Sequence, residues 1–210
     1  EGNCEPMEMD SVTSNKASAC VGCNITFTAT TDPTGYEDDV EWSGGGEPST
    51  GSGATFTTHW DTSGTKTVTA SLCDSSESKQ VTIVKVASVT SDKDETCDGE
   101  NVTFTVTTNP SGHESLVSWS GGGTPATGSG VTFTTKWSTG GTKTVTATCG
   151  TSSESMQVTI LAGCDCTIAG EYHDMPVCTE DDECSNTLTL TFNSNVYCYY
   201  YNGLKVGNCP

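Results

Sequence analysis

Cysteines are the residues of this chain whose type and spacing could do the most chemistry. The 210 residues include 12 cysteines, and they are Cys4, Cys20, Cys23, Cys73, Cys97, Cys149, Cys164, Cys166, Cys178, Cys184, Cys198 and Cys209. An even number of cysteines in small modules is typical of a disulfide framework made in an oxidising compartment. We therefore predict that all of them are disulfide-bonded and that the protein is extracellular or lies on the cell surface.

The elements that position these cysteines come from a tandem duplication. Residues 11–83 reappear as residues 88–160 without insertion or deletion, and 48 of 73 positions are identical. A repeat of fixed period indicates two copies of one folding unit. A second active site directly beside the first rarely helps an enzyme, so the duplication favours a structural or binding protein.

Each copy has the alternating pattern of half-buried β-strands. Apolar residues alternate with Thr, Ser and Asn, while Gly, Pro and Asp separate the runs. In the first copy the apolar positions are Ile25, Phe27, Ala29, Val40, Trp42, Phe56, Trp60, Val68, Ala70, Leu72, Val81 and Ile83. About seven short strands with a Trp on the third predict an all-β fold, in which two immunoglobulin-like antiparallel β-sandwiches stand in tandem.

Three motifs occur in both copies. In the first copy they are Val40-Glu41-Trp42-Ser43-Gly44-Gly45-Gly46, Thr55-Phe56-Thr57-Thr58-His59-Trp60 and Gly64-Thr65-Lys66-Thr67-Val68-Thr69-Ala70. Together they resemble the polycystic-kidney-disease (PKD) type of bacterial immunoglobulin-like module, over about two-thirds of the chain. That family usually has Trp-x-Phe-Gly-Asp-Gly at the turn, and this chain lacks both the aromatic residue and the acid, so no role of that acid transfers. The resemblance implies an extracellular spacer or adhesion module without catalytic activity.

The pattern divides the chain into four regions. They are an N-terminal segment (1–10), the first repeat (11–86), the second repeat (87–162) and a Cys-rich β module (163–210). Residues 81–90 are strand-like throughout, so we expect the last strand of the first repeat to pass directly into the second and make a stiff rod. In the tail, two alternating runs (187–192 and 196–201) and an Asn-Gly turn predict a small β-sheet stapled by disulfides. The sequence does not show which of the six tail cysteines pair with each other.

Strand register suggests how the cysteines of the repeats pair. Cys149 has the inward parity of its strand, and we expect it to bond Cys97 within the second repeat. In the first repeat, Cys73 would take either Cys20 or Cys23. Cys4 would then take the remaining one of these two, since it has no counterpart in the duplication.

Metal and catalytic sites are poorly supported. The Cys-x-x-Cys pair has no second pair or His at zinc spacing, so no structural metal is expected there. Acidic runs at 37–39 and 180–183 could bind calcium, but neither has the ligand spacing of a known loop. The three histidines are scattered, and Ser63-Gly64-Thr65-Lys66 lies on a turn that enters a strand. We therefore expect that the protein is not an enzyme and that it has no catalytic residue and no cofactor.

Two sequons mark candidate glycosylation sites. Asn24-Ile25-Thr26 and Asn101-Val102-Thr103 occupy equivalent positions in the two repeats, and both asparagines have outward parity. We predict that Asn24 and Asn101 are exposed and can carry N-linked glycans in a host that uses the sequon; the alternative is that duplication copied two strand asparagines. By the same parity, Trp42 and Trp119 belong to the core rather than to a sugar-binding platform.

Charge and composition limit the partners. The net charge is −19, with 27 acids and 8 basic residues, which argues against nucleic-acid binding. No apolar run approaches the roughly 20 residues of a membrane-spanning helix. The leading hypothesis is a subunit that associates head to tail into a homopolymeric surface filament, through residues 1–10 or the tail strands. The alternative is an adhesin or carbohydrate-binding stalk.

Overall fold

The structure is a computed structural model that describes residues 7–163 and, as backbone, three strands of the tail. In the first repeat the strands are β1 (Glu8–Ser14), β2 (Ser18–Cys20), β3 (Ile25–Asp32), β4 (Glu41–Ser43), β5 (Thr50–Ser52), β6 (Thr55–Thr58) and β7 (Gly64–Leu72). The strand β8 (Ser75–Ser91) is shared by both repeats. The second repeat continues with β9 (Glu95–Cys97), β10 (Val102–Asn109), β11 (Ser118–Ser120), β12 (Thr127–Ser129), β13 (Thr132–Thr135), β14 (Gly141–Cys149) and β15 (Ser152–Leu161). One 3-10 turn precedes the Trp-bearing strand of each repeat, at Glu37–Asp39 and Glu114–Leu116.

Each repeat is a sandwich of two sheets. In the first repeat, β1, β3 and β6 form one sheet, and β2, the first half of β8, β7, β4 and β5 form the other. In the second repeat, the second half of β8 pairs with β10 and β10 with β13, opposite a sheet in the order β12-β11-β14-β15-β9. All pairs are antiparallel except β2 with β8 and β9 with β15. The prediction of two tandem immunoglobulin-like sandwiches is confirmed.

Aromatic side chains fill the centre of each sandwich. Trp42 is 2% exposed and stacks on Phe56 with ring centroids 5.8 Å apart, while Phe27 meets the edge of Trp60 at 6.4 Å. The second repeat repeats this cluster with Phe104, Trp119, Phe133 and Trp137. Such offset and edge contacts add to the stabilisation that burial itself provides.

Glycines of the Trp-Ser-Gly-Gly-Gly motif let the backbone approach this core. A Cβ on Gly44 would lie 2.7 Å from Val68 Cγ2, and one on Gly46 would clash with the hydroxyl of Thr58. The carbonyl of Gly44 accepts a hydrogen bond from the indole of Trp60 at 3.2 Å. Close packing therefore explains the Gly-rich turn, with no ligand required.

The two sandwiches share one strand. β8 is 17 residues long and passes from the first repeat into the second without an intervening loop, which confirms the expected direct connection. Ala87 is an extra residue in its pairing with β10, because Thr107 pairs with Ser88 and Thr108 with Val86. Such a bulge bends a strand and increases its twist. The change of sheet comes just before it, because β8 pairs with β2 up to Val84 and with β10 from Lys85 onward.

The three described strands of the tail form a separate antiparallel sheet. They are β16 (Leu188–Thr191), β17 (Tyr197–Tyr201) and β18 (Leu204–Lys205), paired in the order β16-β17-β18. A strand therefore lies within each of the two alternating runs predicted for the tail. The six tail cysteines, the acidic run 180–183 and Cys4 have no described side chains.

Candidate functional site: the joint between the repeats

A disulfide connects the two repeats. It joins Cys20, the last residue of β2, to Cys149, the last residue of β14. The two Cα atoms are 5.1 Å apart although the residues are 129 positions apart in sequence. We use "the joint" for the two turns that meet here, residues 20–23 of the first repeat and residues 149–152 of the second.

This disulfide corrects the predicted pairings. Cys149 does not bond Cys97, because Cys97 lies beside the opposite end of the nine-residue β14. At ~3.4 Å per residue that strand is about 27 Å long, whereas a disulfide requires Cα atoms within about 7 Å. Parity correctly predicted the buried face for Cys149, but it carries no information about which end of the sandwich a residue occupies.

The other predicted pairs of the first repeat are also wrong. Cys20 is taken by Cys149, and Cys23 is a half-buried free thiol, so neither is the partner of Cys73 or of Cys4. Cys73 and Cys97 are nevertheless both disulfide-bonded, which agrees with the expectation that they are half-cystines.

Two glycines allow the turns of the joint to touch. A Cβ on Gly150 would clash with the carbonyl oxygen of Val21 and lie 2.9 Å from Cys20 Cβ. A Cβ on Gly22 would lie 2.6 Å from Thr151 Cγ2. Both glycines also have a left-handed backbone, with φ of +65° and +73°.

Hydrogen bonds also connect the two turns of the joint with each other and with β8. The N–H of Thr151 donates to the carbonyl of Val21 at 3.1 Å, and the N–H of Val21 donates to Val84 of β8 at 2.9 Å. The hydroxyl of Ser152 accepts from the N–H of Val86 at 3.2 Å. A covalent bond, a continuous strand and these polar contacts therefore hold the two sandwiches together.

The outer end of the first repeat has the same construction. The N–H of Met9 donates to the hydroxyl of Ser75 at 3.1 Å, as Val86 does to Ser152 one repeat later. Cys73 occupies the position of Gly150 and has a positive φ of 53°. The turn therefore tolerates a side chain, and the requirement for glycine at position 150 comes from the neighbouring repeat.

Both sequon asparagines are exposed, as predicted. Asn24 and Asn101 each directly precede the second long strand of their repeat. The amino group of Lys16 donates to the backbone carbonyl of Asn24 at 3.2 Å, and Lys93 does the same for Asn101 at 2.9 Å. The two asparagines accordingly have equivalent exposure and equivalent backbone contacts in the two repeats.

The tryptophans are buried, which confirms the core assignment. The indole N–H of Trp42 donates to Gly53 at 2.7 Å, and that of Trp119 donates to Gly130 at 2.9 Å. A depression of about 450 Å³ lies between β4, β5 and β7. It is lined by Glu41, Trp42, Ser43, Thr50, Gly51, Ser52 and Ser71. Trp42 is only 2% exposed, so the depression offers a sugar almost none of its indole surface.

The acidic run at 37–39 is organised by hydrogen bonds. The N–H of Gly35 and the hydroxyl of Thr31 donate to the Glu37 carboxylate at 2.9 and 3.0 Å. Its own backbone N–H and these donors lower the pKa of Glu37, against an opposing effect of burial. In the part of the chain that the structure describes, no three His, Cys, Asp or Glu side chains converge as metal ligands.

Two of the described residues considered for catalysis, Lys66 and His59, have structural contacts. The amino group of Lys66 donates to the hydroxyl of Thr62 at 2.8 Å. The backbone of His59 forms an antiparallel bridge with Glu47, in which each residue donates its N–H to the carbonyl of the other.

Within the described residues no helix is long and apolar enough to cross a membrane.

No protein-family model and no curated protein sequence matches the chain. Among solved structures, the D0–D1 domains of intimin are 16% identical, with a TM-score of 0.31, over 72% of this chain and 98% of that one. A C-terminal intimin fragment, in complex with the intimin-binding domain of the translocated intimin receptor, is 16% identical over 72% and 63%, with a TM-score of 0.41. Domains 1–6 of the surface layer protein SbsC are 15% identical over 96% and 32%, with a TM-score of 0.33. The immunoglobulin-like assignment rests on the strand order and pairing described above.

Proposed function

We propose that the chain is an extracellular structural protein whose sandwiches form a rigid rod, and that it is a subunit of a homopolymeric surface filament. The joint is the observation that carries the proposal. Two modules that share a strand and a disulfide resist bending and pulling in a way that a flexible linker does not. Disulfides also require an oxidising compartment, which supports a location outside the cell.

The first part of the proposal to test is the rigidity of the rod. Small-angle scattering on the full-length protein measures it. We expect the wild-type profile to fit one orientation of the two repeats. The variant Cys20→Ser/Cys149→Ser creates no new unpaired thiol at the joint and keeps β8, so it measures what the disulfide adds. A wild-type profile that requires a broad range of inter-repeat angles would contradict the rod.

The second part of the proposal is filament formation, through head-to-tail contacts between subunits. Such a heterologous arrangement generates an open fibre when its rotation does not close. Glu8 and Met9 already pair with β3 through β1, so the contact is assigned to the residues before them or to the tail strands. The charge of −19 opposes association, and salt that screens it should promote assembly.

Negative-stain microscopy of native material at moderate salt tests this directly. Filaments are expected from the full-length protein, and removal of residues 163–210 should leave monodisperse rods. If the full-length protein stays monomeric at high concentration and binds a glycan or a cell surface, the filament proposal fails and the adhesin alternative replaces it.

A further inference from the structure

The free thiol of Cys23 lies beside the disulfide that closes the joint. Cys20 and Cys23 are the ends of a tight turn, in which the N–H of Cys23 donates to the carbonyl of Cys20 at 3.0 Å. Gly22 supplies the positive φ that the third position of such turns can require. The end Cα atoms of a β-turn lie within about 7 Å, which overlaps the range that a disulfide spans.

Both cysteine side chains of this turn face the same point of the second repeat. A Cβ built on Gly150 would lie 2.9 Å from Cys20 Cβ and 3.1 Å from Cys23 Sγ. Gly150 directly follows Cys149 in the chain. Three cysteines therefore converge on one spot, and the structure shows one of the possible pairings between them.

We infer that Cys20 first bonds Cys23 within the first repeat, and that this local disulfide is exchanged for the Cys20–Cys149 bond when the second repeat folds. A turn of four residues closes at a far smaller entropic cost than a loop of more than a hundred residues. N-terminal modules also fold first during synthesis. Cys23 is thus the partner that is present before Cys149 arrives.

The exchange step is balanced. The thiolate of Cys149 attacks Cys20 Sγ, the Cys20–Cys149 bond forms, and the Cys20–Cys23 bond breaks. The electron pair of the broken bond leaves on Cys23 Sγ, which takes up a proton to replace the one that Cys149 has lost. One disulfide is present before and after, so an oxidant is needed only for the local bond, supplied by a dithiol oxidase in its disulfide form.

Within the two repeats, this pair of nearby cysteines occurs only at the joint. Glu100 stands at the position equivalent to Cys23 in the second repeat, so no local exchange partner follows Cys97 there. In the final structure the thiol of Cys23 packs against both cores and has no bonded partner. The inference gives Cys23 a role in closing the joint and does not depend on filament formation.

The first test uses full-length Cys149→Ser, purified without reductant, alkylated and mapped by mass spectrometry. We expect Cys20 and Cys23 to be joined, unalkylated, in a peptide lighter by two hydrogens than the reduced form. Alkylation of both residues as free thiols would overturn the inference. The matched control is Cys23→Ser, in which the Cys20–Cys149 bond should still be present at equilibrium.

The second test holds even where Cys149→Ser fails to fold. Reduced wild-type protein and Cys23→Ser are refolded with a disulfide oxidant, quenched with acid at intervals and mapped for the Cys20–Cys149 bond. We expect this bond to form several-fold more slowly in the variant, because the local route is lost. Equal rates in the two proteins would show that Cys23 has no part in closing the joint.

Discussion

Replacing Gly150 by alanine should be among the most damaging small changes in the chain. The left-handed backbone, with φ of +65°, costs a non-glycine residue about 1–2 kcal/mol. The new methyl group would also clash with the carbonyl of Val21 and crowd Cys20 and Cys23, and overpacking of this kind costs about 1–3 kcal/mol. The expected loss in the free energy of unfolding is therefore about 2–5 kcal/mol.

Gly122→Ala is the matched control for this change. Gly122 has the same φ of +65°, but a Cβ there would meet nothing within 4 Å. It should cost only the backbone contribution of about 1–2 kcal/mol. The difference between the two variants thus isolates the contact of the second repeat with the first.

Urea unfolding followed by tryptophan fluorescence, with disulfides intact, provides the assay. A transition fitted separately for each repeat is required, since a chain of two modules need not unfold in one step. If Gly150→Ala destabilises the protein no more than Gly122→Ala does, the close contact at the joint is not what requires glycine there. Cys73 at the equivalent position already shows that the turn itself accepts a side chain.

Three further outcomes are expected. Replacing both Cys20 and Cys149 by alanine should lower the free energy of unfolding by about 5 kcal/mol, the chain-entropy value for a loop of this length; a loss below about 1 kcal/mol would contradict it. Hydrogen bonds from its own N–H and from a threonine hydroxyl lower the pKa of Glu114 below 4.5, so its stabilisation is present above pH 4.5 and is lost as pH falls through the lowered pKa. Glu114→Gln should therefore flatten the acid limb of a stability–pH curve, and an unchanged limb would refute this. In material from a host that uses the sequon, peptide mapping should find Asn24 and Asn101 both modified, and occupancy of neither would leave them as strand residues.

The positions of the strands and the residues that each strand buries could be predicted from the sequence. Alternation at period two follows from the pleat, which sends successive side chains to opposite faces. It correctly placed Trp42 in the core and Asn24 at the surface. The uninterrupted β-pattern of residues 81–90 likewise predicted that β8 would run through both repeats, because no residue in it breaks a strand.

The pairing of the cysteines depends on how the two repeats stack on each other. Cys20 and its copy Cys97 lie at the exit end of their repeats, whereas Cys149 lies at the entry end of its own. End-to-end stacking places Cys20, from one sandwich, beside Cys149 of the next. Strand parity assigns a face to each side chain, but the end of the sandwich at which it lies depends on strand direction and on the neighbouring module. The close approach at Gly150 depends on that stacking as well, and local sequence therefore could not reveal it.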